Sequence, residues 1–355
     1  MNQFKKQQVI LFWICIFLLG IGAYFAAKYW VFNIQSTSQS FAKTSLESKR
    51  WLPEWALQDI KWNIYIWPYR DLRKQWYEFL WYPKTLQFWL YNFTFDDTKR
   101  FFHELGVNGT KIQWIVESAQ YSSKDNQFQQ LLEWFRDNKN IVIIPDDRLG
   151  ITYQHAKTFV TEDKFIMQTA NITYSSFNKN REIFVFGTDT WVVASLHQLF
   201  YNDWMSQPTK MDALHPNLVV CPFNCRKRIE ALLNHAQSSI VMYQQYIADN
   251  DIQKILRAKK NDGVDIKLIL GKFDDKKKAN DTDQQFYDAM SGSVKFQSSP
   301  YVHAKAILVD GQFLLVGSMN ISDTSLDKNR EIGILLVNRF QIEKLMGVFM
   351  KDWSK

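Results

Sequence analysis

Cysteine and histidine are both scarce in this chain, three and six residues of 355, and neither shows the spacing a metal site needs. No Cys-x2-Cys or His-x3-His pair occurs, which excludes the usual zinc-binding patterns. Cys221 and Cys225 flank Pro222-Phe223-Asn224. Three intervening residues make an awkward loop to close, so buried free thiols are the preferred state of these two, with a disulfide the alternative if the region lies outside the cytoplasm. Charge is absent from Val9 to Ala27. At about 1.5 Å per residue, that 19-residue run spans the roughly 30 Å hydrocarbon layer of a bilayer and reads as a transmembrane anchor behind a tail of residues 1–8. Lys5 and Lys6 precede the run and favour an inside N-terminus, with the remainder of the chain outside the cytoplasm. The alternative is a cleaved signal peptide. Against it, the run exceeds the usual apolar length of about 7 to 15 residues, and no small-x-small cleavage site precedes Lys28. Residues 28–59 include the polar stretch Gln35 to Ser45 and serve as a spacer.

What is present bounds the partners. A formal net charge of +7 favours anionic ones, with nucleic acid and anionic lipid equally eligible on that ground. Lys276-Lys277-Lys278 carries less weight, being bracketed by Asp274, Asp275, Asp281 and Asp283 as a solvated loop would be. The hydrophobic content of 46% is enough for a large core and two domains. Seven of the fourteen Trp fall between Trp51 and Trp89. Packing inside the first domain is the preferred reading of that run; a membrane interface or a platform for stacked bases are the alternatives.

One constellation occurs twice, about 150 residues apart. Gln154-His155-Ala156-Lys157 is answered by Val302-His303-Ala304-Lys305, Thr169-x-Asn171 by Ser318-x-Asn320, and Asn180-Arg181-Glu182 by Asn329-Arg330-Glu331. A single His-x-Lys is usually a surface pair on a strand, whereas an ordered repeat of five positions marks a duplicated half-site. Flanking positions repeat as well. Trp67-Pro68 answers Cys221-Pro222, Leu86 and Ile240 both lie 18 residues after their proline, and Gly109-Thr110-Lys111-Ile112 answers Gly263-Val264-Asp265-Ile266. The chain therefore divides into a first lobe at 60–205, a connection at 206–217 that includes Gln207-Pro208 and His215-Pro216, and a second lobe at 218–355. Each lobe is expected to be α/β.

Residues two apart on a strand share a face, so His303 and Lys305 point the same way, as do Ser318 and Asn320. Asp310-Gly311 is a two-residue hairpin signal between them. Counting outward pairs Val309 with Gln312 and His303 with Ser318, and gathers a phosphate-sized cluster of donors on one side of the ribbon. The first copy is one residue shorter, so the same pairing asks for a three-residue loop, Thr161-Glu162-Asp163, with Val160 opposite Lys164.

His303, Lys305 and Asp310, with Gly317-Ser318-x-Asn320 following, resemble the signature of the phospholipase D superfamily. The first copy departs at Glu162, where the family usually has Asp, and at Thr169, where Ser is common. The resemblance covers roughly residues 60 to 355 and implies two α/β lobes about a pseudo-twofold axis, each giving one His to a single site. It also implies a mechanism without metal or other cofactor. One neutral imidazole attacks phosphorus and the other protonates the leaving oxygen. By the same resemblance His155 is the nucleophile and His303 the acid/base, although the symmetry of the sequence alone permits the reverse, with Lys157, Lys305, Asn171 and Asn320 on the non-bridging oxygens. Glu182 and Glu331, 27 and 28 residues after the histidines, stand at the family's position for a carboxylate that orients an imidazole. Glu162, Asp310, Thr169 and Ser318 complete the candidate set, although Glu162 and Asp310 also suit plain turn formers. His103, His197, His215 and His235 have no repeated partners and read as surface or packing residues.

The leading expectation is a membrane-anchored phosphodiesterase that hydrolyses or transfers phosphatidyl groups, similar to the cardiolipin synthase and phosphatidyltransferase branch. Phospholipid and membrane are then its partners. A nuclease of the same superfamily is the second reading, and a non-catalytic phosphate-binding scaffold the third. Binding alone needs no second imidazole, which weighs against the scaffold.

Overall fold

A computed structural model describes residues 60–68, 72–123, 126–272 and 281–355, which belong to one compact unit. The expected anchor Val9 to Ala27, the spacer 28–59 and Lys276-Lys277-Lys278 lie outside the described residues. Among the described residues no helix is long and apolar enough to cross a membrane.

The first lobe forms one mixed sheet from β1 (Trp62–Trp67), β2 (Thr85–Leu90), β3 (Lys111–Val116), β4 (Ile141–Pro145), β5 (Thr158–Thr161), β6 (Phe165–Gln168) and β7 (Asn180–Gly187), in the order β1-β7-β6-β5-β2-β3-β4. The second lobe contains β8 (Leu218–Cys221), β9 (Ser239–Gln244), β10 (Asp265–Gly271), β11 (Val294–Gln297), β12 (Tyr301–Val302), β13 (Ala306–Val309), β14 (Phe313–Gly317) and β15 (Glu331–Leu336). Its sheet runs β11-β10-β9-β13-β14-β15-β8, the same order traced from the other end. The repeated positions coincide: Leu86 pairs Ile112 in one sheet, and Ile240 pairs Ile266 in the other. Gly109 and Gly263 occupy the turns before β3 and β10 with φ of 95° and 86°, a conformation that costs glycine no Cβ clash.

Amphipathic helices cover the outer faces. In the first lobe, Asp96–Val107 and Asn126–Arg136 bury Phe101, Phe102, Leu105, Phe128 and Phe135 against Phe88, Trp114 and Phe159. In the second, Cys225–His235 and Asn250–Asn261 bury Ile229, Leu233, Ile252 and Leu256 against Ile240, Leu268 and Ile307. A third cluster lies between the sheets and contains Val160, Phe165 and Val185 from one lobe with Val241, Leu314 and Ile334 from the other. Helices Thr190–Trp204 and Arg339–Trp353 contribute Leu196, Leu199, Ile342, Leu345 and Phe349 to it. At about 1.5 to 3 kcal/mol for each fully buried aliphatic or aromatic side chain, this shared layer holds the two lobes in one arrangement.

Four expectations are corrected or refined by the fold. Both hairpin ladders are shifted by one residue, pairing Val309 with Phe313 and Val160 with Phe165. The Asp310-Gly311 turn itself forms, closed by Gln312 N donating to Val309 O at 3.0 Å, and Gln312 is then left as an extra residue beside it. In the first copy Thr161 N donates to Lys164 O at 2.9 Å, which leaves a two-residue connection. Cys221 and Cys225 form a disulfide instead of free thiols. The chain turns directly from β8 into helix Cys225–His235, which brings the two Cα atoms to 5.1 Å, inside the bonding range. Of the tryptophan-rich run, Trp62, Trp76 and Trp89 are core residues, whereas Trp81 and Tyr82 are exposed.

Candidate active site

The two lobes meet through backbone pairing beside each His-x-Lys. β12 runs parallel to β7 of the first lobe, matching Val302 with Arg181, and His303 N donates to Arg181 O at 3.2 Å. Gln154 bridges in parallel to Arg330, and His155 N donates to Arg330 O at 2.9 Å. Each histidine is therefore threaded against the Asn-Arg-Glu segment of the opposite copy.

That pairing crosses the side chains as well. His155 Nδ1 lies 2.9 Å from Glu331 Oε1 and 3.0 Å from Oε2, and His303 Nδ1 lies 2.8 Å from Glu182 Oε1. Sequence spacing associates each glutamate with the histidine of its own copy; the structure gives it to the other. With an ionised carboxylate at Nδ1, that nitrogen carries a hydrogen in both rings, so Nε2 is a free lone pair in a neutral ring and carries the transferable proton in an imidazolium.

The lysines are almost fully buried, and each Nζ folds back onto the carbonyl of its own histidine: Lys157 to His155 O at 2.5 Å and Lys305 to His303 O at 2.6 Å. Burial lowers Lys157 to about 7 and Lys305 to about 8. It also lowers His155 to about 4, against the pull of Glu331, and lowers His303. Lys305 acts on His155 and Lys157 on His303, so the four groups share one electrostatic neighbourhood. Burial opposes ionisation of Glu182 and Glu331 too, but the facing histidine, the lysines and hydroxyl bonds outweigh it, and both carboxyls stay below the usual range.

Thr169 and Ser318 serve the carboxylates. Thr169 Oγ1 donates to Glu182 Oε2 at 2.5 Å and accepts from Ile183 N at 3.0 Å; Ser318 Oγ accepts from Ile332 N at 3.2 Å and bonds Glu331. The shifted ladder sets Lys157 opposite Gln168 and Lys305 opposite Gly317, with Thr169 and Ser318 displaced toward the neighbouring strand. Asn171 and Asn320 each hold a buried Oδ1 without a partner. An amide oxygen only accepts, so a phosphate oxygen would be met by the Nδ2 of each side chain, on the other edge of the same amide.

Glu162 and Asp310 lie elsewhere. Asp310 accepts from Ser238 N, Ser239 N, Gln237 N and Ser238 Oγ at 2.8 to 2.9 Å, and Glu162 from Lys84 N at 3.0 Å and Thr85 N at 3.3 Å. Both tie a hairpin tip to the start of the adjacent strand. From Lys305 to Asp310 is five residues of strand, roughly 16 Å.

Sequence reasoning missed several neighbours. Ser325 Oγ donates to Glu331 Oε1 at 2.6 Å, and Asn180 and Asn329 donate to Glu182 and Glu331 at 3.1 and 3.4 Å. The repeated Asn-Arg-Glu triplet carried the signal for the asparagines. Tyr91 stacks edge-on to His155 at 5.1 Å and lies 5.6 Å from Lys157 Nζ. A cavity of about 230 Å³ opens on this side, lined by Tyr91, Tyr153, His155, Tyr246, Asn320 and Ser322 among others. Of the remaining histidines, His197 bridges Gln87 and Thr161 O at 2.7 and 2.9 Å, and His215 is buried against Trp191.

The family described as "Cardiolipin synthase, PLD-like domain" matches residues 84–204 and 229–353, well over half of the chain and one match in each lobe. The chain belongs to the phospholipase D superfamily. Curated relatives include cardiolipin synthase of Geobacillus sp. (strain WCH70), 27% identical over 126 residues, which cover 34% of this chain and 25% of that protein. Cardiolipin synthase A of Pseudomonas putida is 24% identical over 184 residues, covering 46% of this chain and 38% of that one. The matched stretch thus spans about a quarter to two fifths of these relatives. Among solved structures, phosphatidylserine synthase of Haemophilus influenzae Rd KW20 superposes with a TM-score of 0.61 at 13% identity, covering 83% of this chain and 89% of that one. Polyphosphate kinase from Porphyromonas gingivalis gives 0.63 at 14%, covering 82% and 50%. At such identities these likenesses speak for the two-lobed fold.

Proposed function

We propose that this phospholipase D superfamily member hydrolyses or transfers phosphatidyl groups of phospholipids at one site built from both lobes. The crossed pairs His155–Glu331 and His303–Glu182 carry the reading, because a phosphodiester displacement needs two imidazoles in different protonation states facing one phosphorus. His155 Nε2 attacks phosphorus. The bond to the leaving oxygen breaks as His303 delivers its proton to that oxygen. His303 then takes a proton from water or an alcohol, whose oxygen attacks phosphorus and releases His155. Lys157 and Lys305 neutralise the non-bridging oxygens, and Asn171 and Asn320 complete that shell.

A lipid substrate is supported by the family match, by relatives named cardiolipin synthase and by the uncharged run Val9 to Ala27 in the sequence. The anchor would confine the lobes near a bilayer and raise the effective concentration of phospholipid. The Cys221–Cys225 disulfide supports a catalytic region outside the cytoplasm, with the N-terminus inside.

The test uses the purified full chain with vesicles of anionic or zwitterionic phospholipid, and in parallel with a single-stranded oligonucleotide. Head-group release from vesicles, abolished by His155→Ala and by His303→Ala, is the expected result. Efficient cleavage of the oligonucleotide, falling steeply with salt and with no head group released, would replace the lipid reading with the nuclease one.

A further inference from the structure

The arginine in each Asn-Arg-Glu triplet is left unused by the chemistry, yet both arginines occupy matched and unusual positions. Arg181 donates through Nε and one terminal nitrogen to the two oxygens of Asp352 at 2.8 and 2.9 Å, and Arg330 does the same to Asp203 at 2.9 and 2.7 Å. All four side chains are at most 7% exposed. Each arginine spends its remaining nitrogen on a backbone carbonyl of its own lobe, Trp67 O at 2.6 Å and Cys221 O at 2.8 Å. Each aspartate has a second buried donor: Tyr243 OH on Asp352 at 2.7 Å and Trp89 Nε1 on Asp203 at 2.9 Å. Lys355 also reaches Asp352, at 3.2 Å, and the Phe223 ring lies 4.7 Å from the Arg330 guanidinium. Both pairs cross the lobe interface. The sequence signal is a repeated Asp-Trp, at 203–204 and 352–353, spaced like the triplets themselves.

The placement relative to the histidines gives these pairs a job. Arg181 O receives His303 N, and Arg181 precedes Glu182, the carboxylate on His303 Nδ1. Arg330 stands identically to His155 and Glu331. One rigid two-pronged contact thus fixes, in each half, the arginine whose carbonyl holds the backbone of the opposite histidine and whose neighbouring glutamate holds its ring. A buried ion pair is a poor source of net stability, because desolvation of both charges offsets most of the attraction. Fixing geometry across an interface is the better-supported use of such a pair.

We infer that Arg181–Asp352 and Arg330–Asp203 are positioning clamps, each setting the register of one crossed His–Glu pair: the first that of His303–Glu182, the second that of His155–Glu331. The inference rests on the proposed two-histidine reaction for its kinetic consequence but not for its geometric one.

The experiment compares Asp352→Asn and Asp203→Asn in the full chain, reading nitrogen resonances of the His155 and His303 rings alongside turnover. Asp352→Asn should shift the His303 ring toward a mixture of tautomers and leave His155 in place; Asp203→Asn should do the reverse. Each should lower kcat by about 10- to 100-fold, as expected for reacting groups displaced by up to about 1 Å, with KM changed by less than a few fold. A second pair of variants separates positioning from folding. Arg181→Met combined with Asp352→Leu replaces the buried charges with apolar groups of similar size and should leave the chain folded, at a melting temperature lowered by the loss of partners for the Tyr243 hydroxyl and the Trp67 carbonyl, yet remain as slow as Asp352→Asn. Recovery of full kcat in that double variant would make the clamp merely structural and overturn the inference. So would a folded Asp352→Asn with an unaltered His303 ring, or equal shifts of both rings in either variant. The ring spectra need no substrate, so a wild-type chain that turns over no phospholipid would count against the proposed reaction and leave the clamp to be judged on the spectra.

Discussion

His155 of the first lobe is held by Glu331 of the second, with both carboxylate oxygens within 3.0 Å of Nδ1. His303 has the reciprocal contact with Glu182, so neither lobe contains a complete His–Glu pair. Removing the charge of one glutamate should impair the histidine of the other lobe. Glu331→Gln and Glu182→Gln should each lower turnover by roughly 100- to 10,000-fold, the upper figure being the scale on which an amide in place of the carboxylate that orients a catalytic imidazole acts. Leaving-group chemistry tells the two apart. A p-nitrophenyl phosphodiester, whose leaving oxygen needs no proton, should restore most of the rate to Glu182→Gln and little to Glu331→Gln. The opposite pattern would exchange the nucleophile and acid/base assignments of His155 and His303.

Anion binding should draw protons into the site. Burial holds Lys157 at about 7 and Lys305 at about 8 in the empty site. At pH 8 the first is mostly neutral and the second is half charged. A phosphate beside them favours the ammonium forms and raises both pKa values, so the sign of the linkage is proton uptake on binding. It should be largest near pH 8 and small at pH 6, where both lysines are already charged. Calorimetric titration with dimethyl phosphate, a diester that does not itself titrate between pH 6 and 8, in buffers of different ionisation enthalpy at pH 8, measures it. An enthalpy independent of the buffer would contradict the buried-lysine account. On the same grounds kcat/KM should decline as pH rises through about 7 to 8, since the free enzyme then loses its cationic groups.

The duplicated order of His, Lys, hydroxyl, Asn and Glu was legible because strand periodicity and motif spacing are properties of one chain segment at a time. The same holds for the repeated prolines, which directly follow β1 and β8, and the repeated glycines, which precede β3 and β10, matching strands of two sheets with identical order. What spacing could not reveal is which copy faces which. The crossing of Glu182 and Glu331 depends on β12 pairing with β7 and on the Gln154–Arg330 bridge, contacts between residues more than a hundred positions apart. The hairpin registers failed for a local reason. An extra residue, Gln312, beside the Asp310-Gly311 turn moves every later pair of the second hairpin by one, a two-residue connection in place of three does the same in the first, and on a strand such a shift exchanges the two faces. Thr169 and Ser318 consequently hold carboxylates where the unshifted ladder would have turned them toward the phosphate.

Asp310 should matter to stability and not to chemistry. Its carboxylate accepts from the amides of Gln237, Ser238 and Ser239, and these bonds hold it below the usual carboxylate range although burial opposes them. Asp310→Ala should cost about 1 to 2 kcal/mol in denaturant unfolding, the scale of charge-assisted bonds lost at a partly exposed turn, with kcat of the folded enzyme unchanged within a few fold. Because the folded pKa is depressed, the contribution is present above the unfolded value near 3.9 and disappears as pH falls through the folded value. The gap between wild type and Asp310→Ala should therefore narrow toward pH 3. Glu162→Ala should cost less, since only Lys84 N and Thr85 N are held. A drop in kcat of a hundredfold or more at unchanged stability would return Asp310 to the catalytic set.

The Cys221–Cys225 disulfide ties location to structure. Both cysteines are fully buried, Cys221 stands opposite Glu331 in the sheet, and its carbonyl receives Arg330. A cross-link over so short a loop restricts the unfolded chain only modestly, worth about 2 kcal/mol. Replacing both cysteines by alanine should lower the unfolding free energy by about that amount and leave Arg330 in place, since the bond to Cys221 O needs no sulfur. The sharper consequence concerns compartment. A disulfide persists where thiols are not kept reduced, so a catalytic region outside the cytoplasm should yield no alkylatable thiol at 221 or 225 when the protein is taken from cells under denaturing, non-reducing conditions. Cys15, within the uncharged run, serves as the internal control for labelling. Alkylation of all three cysteines without reductant would mean that the lobes mature in a reducing compartment, and the proposed topology, N-terminus inside and catalytic region outside, would have to be inverted.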